Sequence, residues 1–233
     1  MTDALNIGDL TFALRRSPRR KTVSLTIDRD GSLTVSVPAD CCLDRVEEAA
    51  SKKLLWVYTK LAERELLRRP STPKEFVNGE GFSYLGRSYR LLLVDTPRER
   101  PAQPLRLHQG RFMLQREESS RGQEHFVRWH TQHGQSWLAR RVAVYADRVG
   151  VVLRAIVVKE LGYRWGSCSR SGRLHFHWRV MALPPRIIDY VVVHELVHLC
   201  EPHHKPEFWR RLERAMPDHA ARKQWLAEHG GEL

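Results

Sequence analysis

A chain of 233 residues, 42% apolar and 28% charged, is long enough for one large domain or two small ones and has the balance of a globular protein. No apolar run is long enough to span a bilayer, and Met1-Thr2-Asp3-Ala4-Leu5-Asn6 lacks the basic and apolar regions of a signal peptide, so membrane and exported classes are not expected. Four cysteines, two of them adjacent (Cys41 and Cys42), do not read as a disulfide framework, and a cytoplasmic setting is expected. The net charge of +12 makes nonspecific contact with nucleic acid or another polyanion a second expectation, with Arg15-Arg16-Ser17-Pro18-Arg19-Arg20-Lys21 as the densest basic run.

Taken in chain order, the first half reads as β-rich. Residues 22–27 and 32–37 alternate polar and apolar side chains about Asp28-Arg29-Asp30-Gly31, which predicts a hairpin. From Leu43 to about Leu67 the apolar spacing becomes helical, with Pro70 closing it. Tyr84 to Leu93 predicts two strands about Gly86, and Leu105 to Leu114 a further hairpin about Gln109-Gly110. No repeat is evident. The charged, apolar-poor stretch from Arg116 to Gly122 suggests a boundary, giving a β-rich region over 1–121 and a second domain over 122–233. That second domain reads as a long helix from about Glu124 to Val149, strands near 151–158 and 174–181 with a short one between them, a helix opened by Pro184-Pro185, and a last helix from Pro206 to about Met216.

The helix after Pro185 carries His194-Glu195-Leu196-Val197-His198. Four residues advance a helix by about 400°, so the two histidines lie about 40° apart on one face and roughly 6 Å along the axis, where two imidazoles can meet one Zn²⁺. Glu195 is turned aside from that face, placed to take a proton rather than to be a ligand. The flanking Tyr190-Val191-Val192-Val193 and Leu196-Val197 imply a buried helix, in which two histidines and a glutamate need a compensating partner. Pro202 ends the helix, so that His204, ten residues after His194, can fold back as the third ligand. His203, Glu201, Glu207 and Glu213 are rivals for that place. Cys200 falls on the far side of the helix and reads as a buried small residue.

Other residues near this site have two readings. His175 and His177 share a strand face and could line a cleft or be ordinary surface groups, with His177 the preferred one. Tyr163 and Tyr190 could donate to a developing oxyanion, whereas Cys168 reads as a structural thiol. Phe208 and Trp209 read as packing for the last helix.

Arg164-Trp165-Gly166-Ser167-Cys168-Ser169, Trp178-Arg179, Pro184-Pro185, Ile188-Asp189-Tyr190-Val191, the His194–His198 motif, His204 and Phe208-Trp209 occur in this order over residues 160–210, and together they resemble the YgjP-like family of metallopeptidases. That family is itself similar to the SprT and WLM groups of DNA-associated proteases. The resemblance extends more loosely to residues 16–21 and 84–87. It implies a metal held by His194, His198 and His204, with Glu195 as catalytic base. Glu201 stands where a metzincin has glycine, and no Met-turn is evident.

The expected fold is α+β: a zincin-like catalytic domain of helix, small sheet and metal-bearing helix, preceded by the β-rich region. The expected function is a Zn²⁺-dependent hydrolase acting on protein or peptide, with metal-activated water as nucleophile and Glu195 as general base. A nucleotide phosphohydrolase and a non-catalytic, zinc-containing nucleic-acid-binding module are the alternatives. Oligomeric state is not legible.

Overall fold

The computed structural model describes residues 3–27, 32–55, 57–58, 61, 73–95, 103–162, 164–169 and 171–232. The chain is a mixed α/β protein that divides into two compact units, residues 1–69 and 70–233.

In the first unit, β1 (Asp3–Ile7), β2 (Leu10–Ser17), β3 (Ser24–Ile27) and β4 (Leu33–Pro38) form one sheet in the order β1-β2-β4-β3, followed by α1 (Leu43–Ser51). The β3–β4 hairpin follows the alternation of its sequence, and its expected turn at 28–31 lies outside the described residues. β1 and β2 are an addition to the expected elements. They pair about the two-residue turn Gly8-Asp9, which puts Leu5, Phe12 and Leu14 with Val35 and Val37 in one core against Val46 and Ala50. α1 ends at Ser51, helical backbone resumes after a turn at 52–53 and is present at residues 54, 55, 57, 58 and 61, and the expected end near Leu67 lies outside the described residues.

The second unit begins with β5 (Gly81–Tyr84), β6 (Arg87–Val94), β7 (Leu105–His108) and β8 (Arg111–Gln115), in the order β5-β6-β8-β7. This is the topology of the first sheet again. In both, two hairpins are joined by parallel pairing of their second and fourth strands, Phe12 with Leu33 and Arg90 with Arg111. The sequence shows no repeat, and the likeness of the two sheets is one of topology alone. Different side chains fill the two sheets, and that is why no sequence period reveals the pattern.

The tip of the β5–β6 hairpin positions the helix that carries His194 and Glu195. Leu85 and Gly86 both have positive φ, 49° and 74°, the conformation of a type I′ turn. A Cβ at Gly86 would sit 2.7 Å from the Pro184 Cα, so only glycine fits. The Leu85 and Gly86 N–H groups donate to the Met181 and Ala182 carbonyls. The hairpin is thereby fixed to the short 3₁₀ turn Trp178–Ala182 that leads into the helix.

Arg116–Arg121 is a 3₁₀ turn running directly into α2 (Gly122–Val149), not a break between compact units. Phe126 and Trp129 at the start of α2 complete the core of the preceding sheet, with the Phe82 and Phe126 rings stacked 4.0 Å apart. This aromatic packing is the physical reason that the compact units part at 69/70 and not at the expected 121/122.

β9 (Ala155–Lys159), β10 (Gly166–Cys168) and β11 (Arg173–His177) form a third sheet, ordered β10-β11-β9. Its two edges differ. The outer edge of β9 is capped by Gln135 of α2, whose amide donates to the Ile156 carbonyl and accepts from the Val158 N–H. At β10, residues 165 and 169 bond to β11 through His177 and Arg173, and Ser167 pairs with His175. In an antiparallel ladder the intervening Gly166 and Cys168 then turn their N–H and C=O groups away from β11, toward an edge that no other strand pairs with among the described residues.

α3 (Pro185–Val197) follows, with proline in its first turn. Ile187, Ile188, Val191, Val192, Val193, Leu196 and Val197 are all buried, so this helix is apolar nearly all round and lies inside the core. Its one buried charge near the start, Asp189, is gripped by Arg141 of α2 through two bonds of 2.7 and 2.5 Å and by the Tyr145 hydroxyl at 2.9 Å. α4 (Pro206–Ala215) ends where the last helix was expected to, and α5 (His219–His229) is a further helix beyond it.

Candidate metal centre

Helical spacing puts His194 and His198 on one face of α3, with ring centroids 4.8 Å apart. The helix ends at Val197, and the turn that follows is fixed at both ends. The Glu201 N–H donates to the Val197 carbonyl, the His198 Nδ1–H donates to the Glu201 carbonyl at 3.0 Å, and the Trp209 indole N–H donates to the His204 carbonyl at 3.2 Å. This carries His204 back to the helix, its Nε2 lying 3.0 Å from the Nε2 of His194. One ligand atom from each of the three histidines falls within 4.8 Å of the others. Two nitrogens bound to one tetrahedral zinc at about 2.0–2.1 Å lie about 3.3 Å apart, so this donor set fits such an ion. Phe208, fully buried, forms the floor, with its ring 4.9, 4.6 and 4.7 Å from those of His194, His198 and His204.

The electrostatics favour metal-competent imidazoles. Burial, reinforced by the neighbouring His198, His204 and Lys223, pushes His194 down to about 3. Burial also holds His198 and His204 below the usual histidine range. All three are therefore neutral at physiological pH, as a metal ligand must be. Among the described residues, His194 Nδ1 is buried with no hydrogen-bond partner.

Glu195 stands beside the cluster and is 6% exposed. Burial pushes its carboxyl up to about 8, against a smaller downward pull from Arg164. It is packed on the backbone of Gly166 in β10, where a Cβ would lie 2.7 Å from Glu195 Oε1. The sequence did not point to Gly166 for this purpose, because only the folded chain brings it under the carboxylate.

The other candidates are distributed as follows. Tyr190 is buried with its ring 5.8 Å from that of His194, and burial, helped by Glu195, pushes its hydroxyl up to about 12. Tyr163 lies outside the described residues. His177 has a structural duty: its Nε2 is 2.6 Å from Glu160 Oε1, and its Nδ1 accepts from the Arg179 N–H, capping the Trp178–Ala182 turn. His175 pairs with Ser167 in the ladder and is not in the three-histidine group. Cys168 is half-buried, and burial together with Glu195 keeps its thiol protonated to higher pH than usual. Cys200 was expected to be buried and is exposed instead, because the helix has already given way to a turn at that point. Glu207 is exposed and bonded to Arg210, the Glu201 backbone rather than its carboxylate meets His198, and neither these nor His203 or Glu213 joins the cluster among the described residues. In the basic run, Arg16 donates to the Ala39 and Cys41 carbonyls and Arg20 to Ser24.

Three clustered imidazoles, two of them at helical spacing with a buried carboxylate between them and the third from the turn that follows, have the donor set of a hydrolytic metal centre, and the class it points to is that of a metallopeptidase. The model of the YgjP-like metallopeptidase domain matches residues 21–229, and the chain belongs to this family. No curated protein matches the chain. Among solved structures, the metallopeptidase zymogen of Pyrococcus abyssi abylysin is similar over 39% of this chain and 93% of its own, with 20% identity and a TM-score of 0.36, a likeness too partial to bear on the architecture.

Proposed function

We propose that this metallopeptidase is a zinc-dependent, zincin-like enzyme in which His194, His198 and His204 hold the metal and Glu195 is the general base. The observation that carries this reading is the position of Glu195: buried, beside three neutral imidazoles, and packed against Gly166 of β10, an edge strand with no further strand paired to it among the described residues. A zinc ion held there would supply Lewis acidity, bring the pKa of a coordinated water down to about 7 and add a positive charge that favours ionised Glu195.

The chain's own groups do the rest. The outward N–H and C=O groups of Gly166 and Cys168 receive an extended peptide as an added strand, which lays its backbone across Glu195. Glu195 takes a proton from the attacking water and returns it to the leaving amine, using one carboxylate in both directions. Gly166 leaves room for that carboxylate. Tyr190 stays protonated and so adds a donor, not a second negative charge, beside it. A purely structural metal site has no use for a buried base, and this favours catalysis over a binding module. An edge strand suits a peptide better than a nucleotide, so peptide bonds are the favoured target. Among the described residues no helix is long and apolar enough to cross a membrane. Four free cysteines support a reducing, cytoplasmic setting.

Incubating the zinc-loaded protein with an unfolded protein such as casein tests the reading. Cleavage by wild type and none by Glu195→Gln is expected. Equal cleavage by the two would remove Glu195 from its role.

A further inference from the structure

α5, the helix absent from the sequence reading, brings a second feature to the metal centre. Trp209, His219, Ala220, Lys223, Gln224 and Ala227 line a cavity of about 350 Å³. The cavity adjoins His204. The Trp209 indole donates to the His204 carbonyl, and its ring lies 5.7 Å from the His204 imidazole at an interplanar angle of 28°. His219 stacks on the same indole, 6.1 Å away, with its Nδ1–H donating to the Met216 carbonyl. The Lys223 ammonium lies 4.5 Å from the Trp209 ring centroid.

The charge in this cavity is one-sided. None of the six lining residues is acidic, and Lys223 makes no ion pair among the described residues. The two carboxylates nearest to it in sequence are already bonded, Asp218 to Arg222 at 2.8 Å and Glu228 to the Gln224 amide at 2.8 Å. An indole floor with a cation above it and alanines at its sides matches a side chain with a short carbon stem and a negative end.

We propose that this cavity is a specificity subsite for an aspartate or glutamate side chain of the bound peptide, with the stem on Trp209 and the carboxylate on Lys223. The inference rests on the peptidase reading above and adds a substrate preference to it. The site is partly open to solvent, so the preference is modest, roughly three- to fivefold, as for an ion pair that water still screens.

The test uses a neutral decapeptide of alanine, glycine and leucine in which a single Glu, Gln or Lys is placed at each position in turn. kcat/KM is measured with the zinc-loaded full chain, and binding of the same peptides to Glu195→Gln is followed by tryptophan fluorescence. At one position Glu should be favoured over Lys in both measurements, and Lys223→Glu should reverse that order. No Glu preference at any position, or a preference that survives Lys223→Glu, overturns the subsite. The two readings fail separately: cleavage without preference removes the subsite alone, whereas Lys223-dependent binding without cleavage keeps the subsite and removes the peptidase.

Discussion

The Glu195 carboxylate rests on the backbone of Gly166, so close that a Cβ there would lie 2.6 Å from Cγ and 2.7 Å from Oε1. The contact ties the proposed base of α3 to the edge strand proposed to receive the substrate. Gly166→Ala should push Glu195 aside, since a buried side chain has nowhere to swing without disturbing its neighbours. A displacement of about 1 Å at a reacting group can reduce turnover by about a hundredfold. Steady-state kinetics should therefore show kcat down by one to two orders of magnitude, with zinc content unchanged. Wild-type turnover in that variant would mean that the carboxylate works from somewhere else.

The pH dependence of stability should expose the buried carboxyl in the metal-free chain. Glu195 is held up at about 8, compared with 4.5 for an ordinary carboxyl, so between these values the folded chain keeps a proton that the unfolded chain releases. Stability from this group is complete below 4.5 and falls as pH rises toward 8. His194, pushed down to about 3, acts in the opposite sense: its contribution is present above 6.5 and is lost as pH falls toward 3. Glu195→Gln removes the first effect. The metal-free variant should unfold at higher denaturant than wild type at pH 8, by on the order of 3 kcal/mol, with the gap closing at pH 5. Parallel denaturation curves at the two pH values check this, and a gap that does not change with pH would contradict it.

Asp189 and Arg141 should matter for stability first. The pair joins α3 to α2 by two short bonds, with Tyr145 as a third arm. Asp189→Ala strands the guanidinium and should cost about 2–4 kcal/mol, less than for a fully buried pair because Arg141 is 34% exposed. Urea unfolding of Asp189→Ala, Arg141→Ala and the double variant measures this. The coupling should make the double variant less destabilised than the sum of the single ones.

The helix Pro185–Val197 was legible because its signals are local: the i, i+4 histidines, the apolar residues around them, proline at its start and Pro202 after its end. The hairpins at 81–94 and 105–115 were legible for the same reason, through alternation about Leu85-Gly86 and Gln109-Gly110. What escaped depends on tertiary contact. α5 is polar on most of its surface and anchors itself through Trp225 and Leu226, too few apolar positions to show a period. Phe208 and Trp209 looked like plain packing, yet they form the floor of the histidine cluster and hold the turn that carries His204. His177 could be read as a cleft residue or as an ordinary surface group, and only its bonds to Glu160 and Arg179 reveal a cap. Charge at 116–122 suggested a linker, while the compact units divide at 69/70 and Phe126 and Trp129 just beyond the charged stretch fill the preceding sheet.

The central claim, a three-histidine metal site with a separate base, is tested most directly by zinc stoichiometry. Elemental analysis of wild type, His204→Ala and Glu195→Gln, each expressed in zinc-replete medium, should give about one zinc per chain in wild type and Glu195→Gln and close to none in His204→Ala. A wild type without metal, or a His204→Ala variant that keeps it, would contradict the account.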